Sequence, residues 1–499
     1  MRHTLASNST ETADGSDEPS RTTTRDGTLM ERRRFLQAAG VTTTGLALAS
    51  GGASARERDV NVVNIVTDYG ADPTGEEPIN DAMDAALGDG ASNVRVIFPS
   101  GTYRVDGTLA YGDLDSVSLV GHGDVSIVPT EGYVGHTFIL TGTDVTVRGF
   151  VFDYRKPETK ASLLLTCDDG LLLRDVLFRG VRDVRAGMNH CFYTTVTDPD
   201  GSGLVENVHC PDGVKNLVRQ GGTWVPNAHA GELLFRHCSF ERFSDNAIYA
   251  SGVSNDDHGG QHGAVKVEHC YFHNNNISSI RLGSPGSYAK NCTVVIDDAD
   301  GGPPALYPDL APGGIVNARA VWLWYDFDGS IENCDIVIDH PKGSGILWYE
   351  KDNAGESSTV KNTRIKIDAN APSSDEYAGE PVFLWGIWAR AEGEPLAFKN
   401  VSVTGSAPGN TTVKVADREA TFKNCCIHQT GEDRDGITFE DASGWVRNTT
   451  VNVTGEPLVA ENSDVETRHL RTHGACPRPT ERHRRHSNRR NRHRRHRHR

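Results

Sequence analysis

Between about residue 60 and residue 467, apolar and polar residues alternate in short runs bounded by Gly, Asn, Asp or Pro, as in Val94-Arg95-Val96-Ile97-Phe98. Period-two alternation marks half-buried strands, whereas a helix needs apolar residues three and four apart over a longer stretch. The strands recur with a signature. A polar or charged residue is followed by Asn, Asp or His, then by a small residue or Cys, then by any residue and an apolar one. It reads Arg174-Asp175-Val176-Leu177-Phe178, Arg236-His237-Cys238-Ser239-Phe240, Glu332-Asn333-Cys334-Asp335-Ile336 and Lys423-Asn424-Cys425-Cys426-Ile427, with further copies up to Arg447-Asn448-Thr449-Thr450-Val451. Successive copies lie 22 to 42 residues apart.

A repeat of that length built from short strands predicts a solenoid. No single coil can bury its own apolar row, but stacking coils at about 4.8 Å does so and pairs every strand. The aligned Asn side chains can form an amide ladder at the turn. The aligned Cys238, Cys270, Cys292, Cys334 and Cys425 fill the interior beside it as small hydrophobes. None of the ten Cys falls in a CxxC pair, so an inward thiol stack is expected rather than zinc or a disulfide framework.

Ahead of the repeats, Ile79, Ala82, Met83, Ala86 and Leu87 have helical spacing, with Pro78 before them and Gly88 after. The spacing predicts a helix over 78–87 that covers the open edge of the first coil. The run Asp68-Tyr69-Gly70-Ala71, this helix, and Phe98-Pro99-Ser100-Gly101-Thr102-Tyr103 together resemble the N-terminal region of the pectate lyase/polygalacturonase-like superfamily. The resemblance covers roughly 62–110 by motif and extends through the irregular coils to about 465. It implies an all-β, right-handed parallel β-helix of about ten or more coils, secreted and acting on polysaccharides. The reaction stays open, because one fold hosts many functions.

Charge divides the chain. Residues 59–467 hold 30 basic and 59 acidic residues, a net of −29, and all 12 lysines of the chain lie there. So acidic a body repels phosphate backbones, which argues against nucleic-acid binding by it. Dense carboxylates with little lysine suit solubility at very high salt, where self-repulsion is screened. At the N-terminus, Arg32-Arg33-Arg34-Phe35-Leu36 followed by an uncharged stretch and Ala53-Ser54-Ala55 fits a twin-arginine export signal over 1–55, with Met30 as an alternative start. The expected organisation is then a cap and first coils over 56–110, the β-helix over 111–467, and a disordered Arg/His-rich tail over 468–499. A frame change in alternating Asp-Thr codons would produce such a tail. No stretch is apolar enough to span a bilayer in the mature chain.

In the relatives the active groove runs along one outer sheet, whose strands often read Gly-Ile-x-apolar. The matching stretches here include Asp245-Asn246-Ala247-Ile248-Tyr249, Ser279-Ile280-Arg281-Leu282, Trp322-Leu323-Trp324-Tyr325-Asp326, Gly345-Ile346-Leu347-Trp348-Tyr349-Glu350 and Gly386-Ile387-Trp388-Ala389-Arg390. In one parity of alternation Tyr249, Arg281, Tyr325, Tyr349 and Arg390 face outward. Trp322, Tyr325, Tyr349 and Trp388 could floor a glycan groove, since aromatic faces stack on sugar rings; Trp324 and Trp348 read as interior fillers. Asp326 and Glu350 end equivalent strands of neighbouring coils, so their carboxylates could approach to about 5 Å, the separation of a retaining glycosidase pair. The same spacing suits two oxygen ligands of Ca²⁺, and it is equally that of solvated surface carboxylates. Asp245 lies in a stretch loosely similar to the catalytic Asp-Asp-Cys-Ile of polygalacturonases, and Arg281 is the candidate base or charge neutraliser of a lyase. Two departures stand out. Gly121-His122-Gly123 precedes the repeats, and Arg364-Ile365-Lys366 falls on an Asn-ladder strand. The expected functions are a polysaccharide lyase or hydrolase of acidic or neutral glycans, or a non-catalytic surface β-helix that binds glycans or builds the envelope.

Overall fold

The second residue of the repeated signature turns the chain. Asp175, Asn207, His237, His269, Asn291, Asn333, Asn362, Asn400, Asn424 and Asn448 all adopt positive φ, between 50° and 57°. This left-handed conformation costs an ordinary L-residue about 1–2 kcal/mol and is tolerated best by Gly, Asn and Asp. At each such corner the strand bends, and the N–H of the turning residue bonds the next coil. Asn291 donates to the Glu332 carbonyl, Asn400 to Lys423 and Asn424 to Arg447, all at 2.9–3.0 Å. The requirement of the corner explains why the signature tolerates so few residue types there.

The computed structural model describes residues 60–478, apart from 183–189, 216–217, 307–313, 326, 349–356, 369–375, 378–379, 382–384 and 391. Within them the chain winds as a parallel β-helix. One sheet has 13 strands, in order from Leu109–Asp115 to Leu458–Glu461, and each pairs in parallel with the strand one coil away. A second sheet of 24 strands wraps round the left-handed corners and so supplies two faces. Leu171–Arg179 and Ser202–Cys210 each run through a corner and pair on both sides of it. A two-stranded antiparallel pair, Glu376–Tyr377 with Glu380–Pro381, stands apart from both sheets.

Alternation fills the interior. Strand Ala264–Glu268 buries Val265 and Val267, and Glu232–Arg236 buries Leu233 and Phe235. Phe178, Phe192, Phe240 and Phe272 stack inside with centroid separations of 5.4 to 6.2 Å. The residue after each corner also points inward. Cys238, Cys270, Cys292, Cys334 and Cys425 are buried free thiols. Cys238 Sγ lies 3.4 Å from the carbonyls of Val205 and Arg236. Outside, the amide ladder is partial: Asn207 bonds Asp175 at 2.6 Å, Asn400 bonds Asn362 at 2.9 Å, and His237 stacks on His269 at 5.1 Å.

The capping helix is α1, Asn80–Ala86, which buries Ala82, Met83 and Ala86. It starts two residues later than the spacing predicts because Pro78 bridges Arg104 and the Ile79 N–H donates to the Arg104 carbonyl. The cysteine expectation needs one correction. Cys426 and Cys476 form a disulfide, while the other eight are free and buried. Cys426 follows a corner by two residues, so it faces outward, where Cys476 can reach it. The residues after Arg468 hold to the solenoid through that bond. Arg471 bridges Thr450, Asn452 Nδ2 donates to the Gly474 carbonyl, and Ser402 Oγ donates to the Pro477 carbonyl. Since Ser402, Cys426 and Thr450 are register partners, this strap crosses three successive coils.

Candidate functional site

Register in the 13-stranded sheet decides which side chains share its outer face. Tyr193, Trp224, Tyr249, Arg281, Trp322, Leu347, Trp388 and Lys414 are partners from strand to strand. Their neighbours Phe192, Ile248, Ile280, Val321, Ile346 and Ile387 are buried in the core, so the named row points outward. Five aromatic rings and two cations thus form one line along the solenoid. Tyr249 and Arg281 thus share this face with Trp322 and Trp388, whereas on the strand Ala318–Leu323 the parity is the reverse of the expected one, with Trp322 outward and Leu323 in the core.

Tyr325 lies two residues past the strand Ala318–Leu323 and is buried, with its ring against Gly283. Burial raises its pKa, although Arg281 lies near enough to oppose that. Arg390 follows the strand Ile387–Ala389 and lays its guanidinium over Trp388 at 4.7 Å. Trp348 is interior, as its assignment as a filler requires, and packs edge-on to Phe398. Trp324 is not interior. It meets Trp322 at 4.7 Å on the outer face because the strand ends at Leu323 and the side-chain alternation ends with it. Asp326, Tyr349 and Glu350 lie outside the described residues.

Arg281 is enclosed by aromatics. Its guanidinium carbon lies 4.6 Å from the Tyr249 ring, 4.5 Å from Trp322 and 4.0 Å from Trp324. Its Nε is buried without a hydrogen-bond partner. The three rings hold the guanidinium in place by cation–π contact. One coil further, Arg319 covers the other part of Trp322 at 4.3 Å.

The carboxylate of this face is Asp245, three residues before the strand Ile248–Ala250. Burial pushes its pKa up, but the Arg219 charge and the hydrogen bonds from Arg219 and Asn246 outweigh that and hold it below the usual carboxylate range. Arg219 Nε donates to Asp245 Oδ2 at 2.9 Å, and the Asn246 N–H and Nδ2 donate to Oδ1. The group is therefore an anion at neutral pH, not a proton donor. His190 packs against Tyr193, Trp224 and Tyr249. Its ring lies over Gly221, where a Cβ would come within 2.5 Å of its Cδ2. Burial lowers its pKa to about 3, so the ring is neutral.

Trp224, His190 and Arg219 were absent from the expected set. Gly221-Gly222-Thr223-Trp224 lacks the Gly-Ile pattern, and Arg219 and His190 reach Asp245 only through the coil stack. The Arg-x-Lys imitation at 364–366 proves structural, since Arg364 holds Asp335 at 2.7 and 2.8 Å. Gly121-His122-Gly123 sits in Ser118–Pro129, a strand of the 24-stranded sheet away from this face. In the loop 255–262, His262 pairs with Asp256 at 2.8 Å. Among the described residues no group of three His, Cys, Asp or Glu is arranged to hold a metal. The Ca²⁺ expectation rests on Asp326 and Glu350, outside that set.

No curated protein matches the chain in sequence. The likenesses among solved structures are distant. The Agl-KA catalytic domain is 14% identical with a TM-score of 0.48, over 84% of this chain and 70% of that one. PfbA, a surface adhesin of Streptococcus pneumoniae, is 13% identical with a TM-score of 0.40, over 82% and 93%. A family 28 exopolygalacturonase of Yersinia enterocolitica is 11% identical with a TM-score of 0.38, over 84% and 79%. Residues 62–294 match the family model described as rhamnogalacturonase A/epimerase, pectate lyase-like, which spans the cap, the first coils and the Asp245–Arg281 part of the outer row.

Proposed function

We propose that this protein is a carbohydrate-active β-helix that holds an acidic glycan along the outer row of its 13-stranded sheet and cleaves it there. The in-register line of Tyr193, Trp224, Tyr249, Arg281, Trp322 and Trp388 carries this reading. The part-exposed rings of Trp224, Tyr249 and Trp388 supply stacking surface for sugars, while Tyr193 and Trp322 are buried beneath the row. Arg281 and Arg390 supply fixed positive charge on a body of net −29, which favours a glycan bearing carboxylates. Asp245, buried on the coil beside Arg281's, is an ionised group whose field would stabilise positive charge as it develops. Arg281 would neutralise a uronate carboxylate.

Non-catalytic glycan binding is the second reading. The ion pair between Asp245 and Arg219 favours it, because that pair occupies the one described carboxylate on the row. Incubation with uronate and neutral glycans at high salt, with and without Ca²⁺, separates the two. Unsaturated products mark a lyase, new reducing ends a hydrolase, and retention without product a binder. Trp388→Ala and Arg281→Gln should each weaken retention about tenfold or more, the scale of a lost stacking or charged contact. Unchanged retention in both would sink the proposal. Export through the twin-arginine route accompanies it, supported by the Arg32-Arg33 motif and by a disulfide suited to an oxidising compartment.

A further inference from the structure

The residue just before each left-handed corner lies on the outer side of the 24-stranded sheet and is in register from coil to coil. From Arg174, which follows Arg148 in the column, its charge alternates: Arg174, Glu206, Arg236, Glu268, Lys290, Glu332. Neighbours there neutralise one another. Arg174 meets Glu206 at 3.1 Å, Arg236 meets the same carboxylate at 2.6 Å, and Lys361 reaches Glu332 at 3.4 Å.

After Lys361 the alternation stops. Lys399, Lys423, Arg447 and Arg468 follow as direct partners on successive coils with no acid between them. All four are exposed. Among the described residues none makes a side-chain hydrogen bond or ion pair, and Arg447 only lies over the Trp445 ring at 4.2 Å. Like charges directly opposite on adjacent strands destabilise a sheet, and these stand about 4.8 Å apart. From Arg174 to Glu332 the same column separates its cations with Glu, and its one earlier like-charge pair, Arg148 with Arg174, stops at two residues. Folding does not call for this run.

We propose that the line Lys399–Lys423–Arg447–Arg468 is a docking surface for an extended acidic polysaccharide lying parallel to the solenoid axis. One cation per coil meets a single chain with regularly spaced carboxylates. Beside the line, Asn400 and Asn424 expose amides that already chain together at 3.4 Å, and Asn448 continues them, which suits a hydroxyl-rich polymer. A nucleic acid fits less well. Single strands are held by successive aromatic platforms, whereas among the described residues this line has Trp445 alone beside it. The chain's own Arg/His tail carries the same sign and is excluded as occupant. The surface is separate from the aromatic row and does not depend on its function.

The test uses the full chain and immobilised polygalacturonate, with dextran and an oligo-dT as further probes, at low and rising salt. Wild type should bind polygalacturonate and not dextran. The variant Lys399→Gln/Lys423→Gln/Arg447→Gln should bind about tenfold or more weakly and lose affinity less steeply with salt, as fewer counterions are released. It should melt no lower than wild type, because repulsion has been removed. Single Lys423→Gln, with a two- to threefold loss, serves if the triple variant melts early. Binding within twofold of wild type in these variants, or oligo-dT binding as tight as polygalacturonate, overturns the proposal. So does a loss confined to Trp388→Ala or Arg281→Gln, an outcome that leaves the aromatic row's reading intact.

Discussion

His190 is buried among Tyr193, Trp224 and Tyr249 with neither ring nitrogen hydrogen-bonded, and burial holds its pKa down to about 3. In the unfolded chain the same imidazole titrates near ~6.5. Between those values the unfolded chain binds the extra proton, so the stability present above ~6.5 declines as pH falls toward 3. Asp245 works lower, since its depressed pKa keeps its contribution until the pH drops below the ordinary carboxylate range. We therefore expect the melting temperature to fall with pH below about 6.5, and His190→Phe to flatten that fall. His229, lowered to about 4 by burial, retains part of the slope. Parallel curves for the variant and wild type would show that His190 is not the group responsible. Little of this was legible in the sequence. The row Tyr249–Arg281 followed from alternation, but the approach of His190 and Arg219 to Asp245 depends on coil lengths of unequal size.

At the scale of the element, the corner and the strap make a contrast. The corner is local: one residue in left-handed conformation, one inward side chain, one bond to the next coil. Its sequence signature is correspondingly short, and it located ten successive corners from Asp175 to Asn448, missing the next one in register, His469, where the following Leu-Arg breaks the pattern. The strap is not local. Cys426 reads as a repeat of Cys425, and only the return of residues 469–478 across three coils separates an outward sulfur from an inward one. Closing a loop of sequence separation 50 restricts the unfolded chain by about 4 kcal/mol in the chain-entropy model. Reduction, or Cys476→Ser, should therefore speed amide exchange in the strands Cys426–Gln429 and Thr450–Asn452 and leave the N-terminal coils protected, since solenoid coils open from their ends. Uniform exchange along the solenoid would contradict it. The bond also reports compartment: an Arg32→Lys/Arg33→Lys chain held in the cytoplasm should carry free thiols at 426 and 476.

Over the whole molecule, charge is distributed by face. The body of 59–467 has a net of −29, while the outer aromatic row and the line after Lys361 are basic. Repulsion among surface carboxylates opposes the compact state and is relieved by screening. Raising KCl from low to molar concentration should raise the melting temperature steadily. A flat or falling response would remove the high-salt reading of the composition.

The sequence by itself determined the coil. Alternation, the Asn-small signature and the cap motif are short-range requirements of strand, corner and edge, so each leaves a short-range trace. Coil lengths vary from 22 to 42 residues, however, and the pattern therefore could not say which side chains of successive coils meet. Only the tertiary stacking set that register. It put Trp224 beside Tyr249, Arg281 between three aromatic rings, and four cations in an unbroken line, because contacts across coils are chosen by hydrogen-bonded strand pairing and not by distance along the chain.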